Sequence, residues 1–399
     1  MNKLIISLLL PFYFILYSCS GSEKYSITIS NEFIVPSVKG YHNIYFYDSL
    51  SNQEYIAYFS AWSKEDSLKV FEYPSINKLY SIPMYGVWDT LNGIQLRSFT
   101  MLSKDTFCIS AEDNIFLFLN KNGDIYNYLD MSPYSNWRNL NLYYNLNFKQ
   151  PKQSSTKKLY FKISAEPHDT VGAYLNNALD KMVESQYARY SAPNYCLVEM
   201  NGGEILHIEH YIPDIRNRIV GKGNYLTIGS NDVHLPINDK YYFATKHRDT
   251  IYEILWSKNE IVNKYKVKSK YTSLGIVPCR YDEVGISGVA LQSCETPRIF
   301  ENGYIDEMQY FPDKKVFAVL VFHELRLNPN NINNPFQHKN ASILILNEKF
   351  ELKTEYYISS KEYVISPVFT KDGFYMRKRG DTQAKVKDEN YTYTVFNIN

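Results

Sequence analysis

Beyond its opening residues the sequence has no apolar run long enough to cross a bilayer, no surplus of either charge and no glycine-rich loop that could cradle a phosphate. The first absence excludes a multi-spanning helical protein. With 43 Lys and Arg against 42 Asp and Glu and no dense basic cluster, nucleic acid and other polyanions are poor partners. Catalytic signatures are missing as well. Gly285-Ile286-Ser287-Gly288 has one glycine misplaced for a nucleophile elbow, and His323-Glu324 lacks the second histidine of a zincin. His207 and His210 stand three apart on an expected strand, point to opposite faces and cannot share a metal. No cysteine pair has zinc spacing, so neither a metal nor a cofactor is expected.

What is present begins with a leader. Lys3 precedes an apolar stretch from Leu4 to Leu16, too short to span a membrane comfortably, and Tyr17, Ser18 and Cys19 follow. Leu16, Ser18 and Cys19 resemble the lipobox of Gram-negative lipoproteins, with Tyr17 where a small residue is usual. The resemblance implies a signal peptide at 1–18, a lipid-acceptor Cys19 and a tether over 19–24. Ordinary signal-peptidase cleavage and an uncleaved helix are the alternatives. Acyl chains worth about 0.8 kcal/mol per buried CH2 would hold the chain on the inner or outer membrane, in the periplasm or at the cell surface. Lys3 leaves with the leader, and the mature chain becomes neutral.

Leu/Ala-rich stretches are few, while 37 Tyr and 22 Phe point to strands. From Tyr25 on, a hairpin recurs: Ile115–Leu119 with Asp124–Leu129 across Asn120-Lys121-Asn122-Gly123, and Tyr195–Met200 with Glu204–His210 across Asn201-Gly202-Gly203. Asn and Gly tolerate positive φ and close such turns. Further copies are Leu68–Tyr73 with Lys78–Pro83, Ile251–Trp256 with Ile261–Val267, and Ile343–Leu346 with Glu351–Ile358. Two more strands precede each hairpin, as Leu96–Leu102 and Thr106–Ser110 precede the second. Val316 to Phe322 is nearly all apolar, as a strand covered on both faces should be. A last unit of Tyr363–Pro367, Phe374–Lys378 and Tyr391–Ile398 lacks a fourth strand, which Tyr25–Ser30 can supply. The expected fold is therefore all-β over 25–399, a β-propeller of six four-stranded blades closed by the terminal strands, with five or seven also compatible. A short amphipathic helix is expected over 169–189.

The lipobox, the Asp249-Thr250-Ile251-Tyr252 strand opening and the strand pair from Ser366-Pro367 to Asp372-Gly373 are similar to those of six-bladed, TolB-like β-propeller lipoproteins of Bacteroidetes. That resemblance implies a fold and a cell-envelope location. It implies no reaction.

In such a ring the long connections Asp130–Asn141, Ala165–Asn194, Pro213–Gly223, Ser269–Asn302 and Glu324–Asn340 share one face, where a ligand is expected. Candidate ligand-binding residues there are Tyr134, Trp137, Arg138, Arg216, Arg218, Arg280, Tyr281, Asp282, Glu283 and Glu324, guanidiniums and aromatics suited to carboxylates and sugar faces. Surface ion pairing explains the same residues more blandly. Cys279 and Cys294, close together in an irregular stretch, are the disulfide candidate, while Cys108 and Cys196 read as buried apolar residues. The expected function is a non-catalytic, membrane-anchored envelope protein that binds a partner protein, peptide or glycan. The alternative is a hydrolase or lyase using Asp282, Glu283 or Glu324 as acid and base.

Overall fold

The computed structural model describes residues 25–36, 41–48, 51–60, 67–84, 87, 96–111, 115–130, 140–145, 157–167, 195–201, 204–211, 224–225, 233–237, 239–255, 257–258, 260–277, 279–280, 288–325, 335–379 and 390–399. Over 140–225 only the backbone path is described. The leader, Cys19, the tether and the helix expected over 169–189 lie outside the described residues.

Strand β1 (Ile27–Pro36) leads into a first blade of β2 (Tyr41–Asp48), β3 (Gln53–Ser60), β4 (Ser67–Tyr73) and β5 (Lys78–Pro83). The second blade is β6 (Leu96–Ser103), β7 (Thr106–Ala111), β8 (Ile115–Asn120) and β9 (Ile125–Asp130). The third is β10 (Leu140–Asn145), β11 (Lys157–Pro167), β12 (Tyr195–Asn201) and β13 (Glu204–Tyr211). After β14 (Asn224–Tyr225) comes the fourth, β15 (Val233–Ile237), β16 (Lys240–Ala244), β17 (Thr250–Leu255) and β18 (Glu260–Lys266). Strand β19 (Cys279–Arg280) and helix α1 (Gly288–Glu301) precede the fifth, β20 (Tyr304–Phe311), β21 (Val316–Phe322), β22 (Ala341–Asn347) and β23 (Leu352–Ile358). These five blades are each four consecutive antiparallel strands. A further four-stranded sheet is composite: β24 (Val368–Phe369), β25 (Gly373–Arg377) and β26 (Asn390–Ile398) take β1 as their outer strand, with Ile27 opposite Ile398. The architecture is an all-β propeller.

Its core is a set of wedges between sheets, dictated by the two-residue period of a strand. In β21, Val316, Ala318 and Leu320 pack with Phe374, Met376 and Phe396 of the composite sheet. Phe317, Val319 and Val321 pack the other way, with Val233, Leu235 and Ile251 of the fourth blade. The same division sends Ile56 and Tyr58 of β3 towards the composite sheet, and Ala57 and Phe59 towards the second blade. Middle strands are thus buried on both faces, whereas outer strands such as β9 and β18 are largely exposed. The first strands touch from sheet to sheet, β2 with β6, β15 with β20 and β2 with β24, and so lie nearest the axis.

Each continuous blade has a register shift between its third and fourth strands, at Val70/Phe71, Phe118/Leu119, Glu199/Met200, Glu253/Ile254 and Ile345/Leu346. Such bulges increase twist and swing the outer strand away from the ring. The turns beyond them repeat too. Asn120 Oδ1 accepts from the amides of Asn122 and Asp124, and Asn347 Oδ1 from those of Lys349 and Glu351. Gly123, at φ 89°, takes the left-handed conformation that this turn requires.

Strand polarity puts the connections between sheets, and those from second to third strand, on one face. The C-terminal ends of β9, β11, β13, β18 and β21, which open the longest of these connections in sequence, lie on that long-loop face. The opposite, short-turn face carries the third-to-fourth turns, as at 74–77, 121–124 and 348–351.

Two expectations are corrected. Tyr363–Pro367 is not a strand: Tyr363 makes an isolated bridge to Lys378, and the ladder starts only after Pro367, which has no amide to donate. The stretch Ser269–Asn302 is not irregular throughout, since it contains β19 and the 14-residue α1 despite Pro297 inside the helix.

Ring closure can be tested at Phe33, which stacks on Tyr393 at 5.2 Å and meets Tyr73 and Tyr375 edge-on. Phe33→Ala is expected to lower unfolding free energy in urea by about 3–5 kcal/mol. Ile34→Ala, at a neighbouring side chain that is 56% exposed, should cost less than about 0.5 kcal/mol.

Candidate functional site

Between β18 and β20 the chain crosses the long-loop face of the fifth blade as a strap. Glu355 of β23 accepts from Ser269 Oγ at 2.6 Å and from the Lys270 amide at 2.7 Å, and Glu324 accepts from the Thr272 hydroxyl. Further on, the Gly275 amide donates to Gly303 O at 2.9 Å and the Gly303 amide to Ser273 O at 3.1 Å. Gly303 is required by this close approach: a Cβ there would strike the Thr272 side chain and come within 2.8 Å of Phe322 O.

Past the strap, β19 pairs with β14, and Cys279 is disulfide-bonded to Cys294 of α1. The C-terminal end of α1 rests on the blade, where Ile299 packs with Ile276, Tyr304 and Phe322. Helix ends leave carbonyls without partners, and here they find them. The Leu325 amide donates to Phe300 O at 2.6 Å, and Lys339 Nζ donates to Ile299 O at 2.5 Å and Asn302 O at 3.0 Å.

Lys339 is the centre of a buried charge cluster, with 1% of its surface exposed. Its ammonium lies 4.8 Å from the Tyr304 ring centroid, and that of Lys246 lies 4.7 Å from the same centroid. Lys246 pairs with Asp306 at 3.1 Å. Burial pushes the Lys339 amine down to about 7; Glu324 and Asp306 oppose that shift and Lys246 adds to it. Burial likewise pushes the Tyr304 phenol up. The carboxylates are engaged, Asp306 by Lys246 and Glu324 by Thr272, so the cluster serves to hold α1 and the strap in place.

Beside it the strap presents an aromatic pair. Tyr271 and Tyr357, 45% and 42% exposed, meet edge-to-face at 5.2 Å. Buried His323 backs both rings, at 5.8 Å from Tyr271 and 5.4 Å from Tyr357, with its Nε2 2.8 Å from Ser342 Oγ. Exposed rings fixed in this way offer flat apolar faces at little entropic cost to a ligand.

Of the candidates read from sequence, Glu324 is placed on the long-loop face, half-buried between Thr272 and Lys339. Arg280 is described by its backbone alone, in β19. Tyr134, Trp137, Arg138, Arg216, Arg218, Tyr281, Asp282 and Glu283 lie outside the described residues. Cys108 is buried with a free thiol. Lys246, Asp306, Lys339, Tyr271 and Tyr357 were not anticipated; the one available signal was Tyr357 near a strand end that opens onto the long-loop face. Among the described residues no group of three or more His, Cys, Asp or Glu is placed to hold a metal ion, and no helix is long and apolar enough to cross a membrane.

No protein-family model matches the chain, and no curated protein matches it. Its fold is similar to that of a DUF4221-family member from Bacteroides vulgatus, with a TM-score of 0.64 and 13% identity over 94% of this chain and 99% of that one. A Bacteroides fragilis protein described as exported aligns over 95% of this chain and 96% of its own, with 10% identity and a TM-score of 0.42. At 13% identity the likeness to the Bacteroides vulgatus protein is one of fold alone.

The buried lysine gives a pH test. Below about pH 7 Lys339 is protonated folded and unfolded alike, and the cost of burying its charge is carried in full. Above that the folded chain releases the proton first, so wild-type stability gains with pH up to the ordinary lysine range. Lys339→Met removes this gain and leaves the Ile299 and Asn302 carbonyls unpaired, at about 1–3 kcal/mol. Denaturation at pH 6 to 10 should show wild-type stability rising relative to the variant as pH rises.

Proposed function

We propose that the mature chain is an envelope lipoprotein, anchored through Cys19, whose propeller binds a partner protein, peptide or glycan on its long-loop face. One observation carries the binding half: Tyr271 and Tyr357 are exposed on that face yet held by His323 and by a strap tied down at Glu355, Glu324 and Gly303. Aromatic anchors fixed before binding are what recognition surfaces are built around. The anchoring half draws its support from the lipobox at Leu16, Ser18 and Cys19. We read the composite sheet as the sixth blade, and kinship with TolB-like propellers draws support from the sequence motifs alone. The catalytic alternative would use Asp282, Glu283 or Glu324, and of these Glu324 already accepts a hydrogen bond from Thr272.

The test is a screen of the mature protein against envelope glycans and peptides, followed by the double variant Tyr271→Ala/Tyr357→Ala. Any ligand found should lose about tenfold or more in affinity, equivalent to about 1.4 kcal/mol, with thermal stability nearly unchanged. A ligand bound equally well by the double variant would move the site elsewhere.

A further inference from the structure

We infer that the short-turn face of the ring lies against the lipid surface, so that the long-loop face with Tyr271 and Tyr357 points away from it. This rests on the anchoring half of the proposed function, and adds to it a direction that the topology supplies. Outer strand β1 starts at the short-turn face, because Ile27 pairs with Ile398 at the end of β26. Ser26 and Asn399 exchange backbone hydrogen bonds of 3.1 and 2.9 Å, and the Tyr25 hydroxyl donates to Lys314 O at 3.4 Å in the β20–β21 turn, on the same face. The chain therefore leaves the folded ring at Tyr25, on the short-turn side.

From Cys19 to Tyr25 there are six residue steps, a reach of about 20 Å when fully extended. A strand of seven or eight residues separates the two faces by about 25 Å. A lipidated Cys19 can thus meet the bilayer next to the short-turn face, but its tether is used up before it rounds the rim.

The rim of the short-turn face offers a lipid surface apolar contacts, although Ile34 and Val277 are as exposed towards the other end. Ile29, Leu79, Tyr126 and Val262 are between 39% and 55% exposed, and each stands second or third in an outer strand, at the short-turn end. Apolar and tyrosine side chains at that height suit the boundary between headgroups and acyl chains. Charges on this face are mixed, as in the Lys121–Asp105 pair and in Asp313-Lys314-Lys315, so the tether sets the orientation and salt should not undo it.

The experiment uses the full lipidated chain in vesicles containing a lipid with a nitroxide on its headgroup. Fluorophores are placed singly at Asn122→Cys, in the β8–β9 turn, and at Lys361→Cys, beyond β23 on the long-loop face; the unsubstituted chain is the labelling blank and Cys19→Ala the unlipidated control. Vesicle association that depends on Cys19, with several-fold stronger quenching at position 122 than at 361 in low and high salt alike, is the expected result. Cys19-dependent association with equal or reversed quenching would overturn the orientation and leave the anchor standing. Association indifferent to Cys19→Ala, or none, would overturn the anchor and the orientation with it.

Discussion

The sheets whose side chains are described depend on their neighbours to cover the two apolar faces of their middle strands. In β21 and β22 neither face can be left to water, because alternate residues of one strand belong to different interfaces. A polar group in these wedges must bring its partners with it. Glu253, buried between the fourth and fifth blades, takes Lys240 at 2.6 Å, Asn263 at 3.0 Å and the Tyr265 hydroxyl. Burial pushes its carboxyl up, but hydrogen bonds from Lys240, Tyr265 and Asn263 outweigh that and hold it below the usual range.

The same dependence explains why the strands could be read from sequence and the site mostly could not. Val316 to Phe322 has to be apolar throughout, and Asn120 to Asp124 has to turn, whatever the rest of the molecule does. These are local demands, and they leave local marks. Helix α1 left few, since Pro297 and Cys294 make its sequence look like a loop, and its end is completed by a lysine 40 residues away from Ile299. Glu324 was legible as an acid on the loop-bearing face. Lys246, Asp306 and Lys339 meet only through packing between two blades, and Tyr271 and Tyr357 are two tyrosines among 37.

Strap, helix and charge cluster form one assembly. The strap is tied to the inner strand at Gly303 and to the outer strand at Glu355, while α1 is held by Lys339 at one end and by the disulfide to β19 nearer its middle. A face braced across the whole width of a blade resists deformation, so a ligand meeting the tyrosine pair would find its contact surface already formed. The bulges lie towards the opposite end of the strands, where they shape the outer rim.

The pairing of β1 with β26 also orders events in time. Ile27 precedes the five continuous blades in the sequence and Ile398 follows them, so the composite sheet stays open until β26 has been made. Until then β1 is an unpaired edge, and the wedges on either side of the composite sheet lack a wall. A chain cut short before residue 390 would lose β26, the strand that links β1 to β25, and with it cover for both adjacent blades. The presence of β26 is thereby built into the folding reaction, and a product lacking it would stay exposed to proteases and to aggregation.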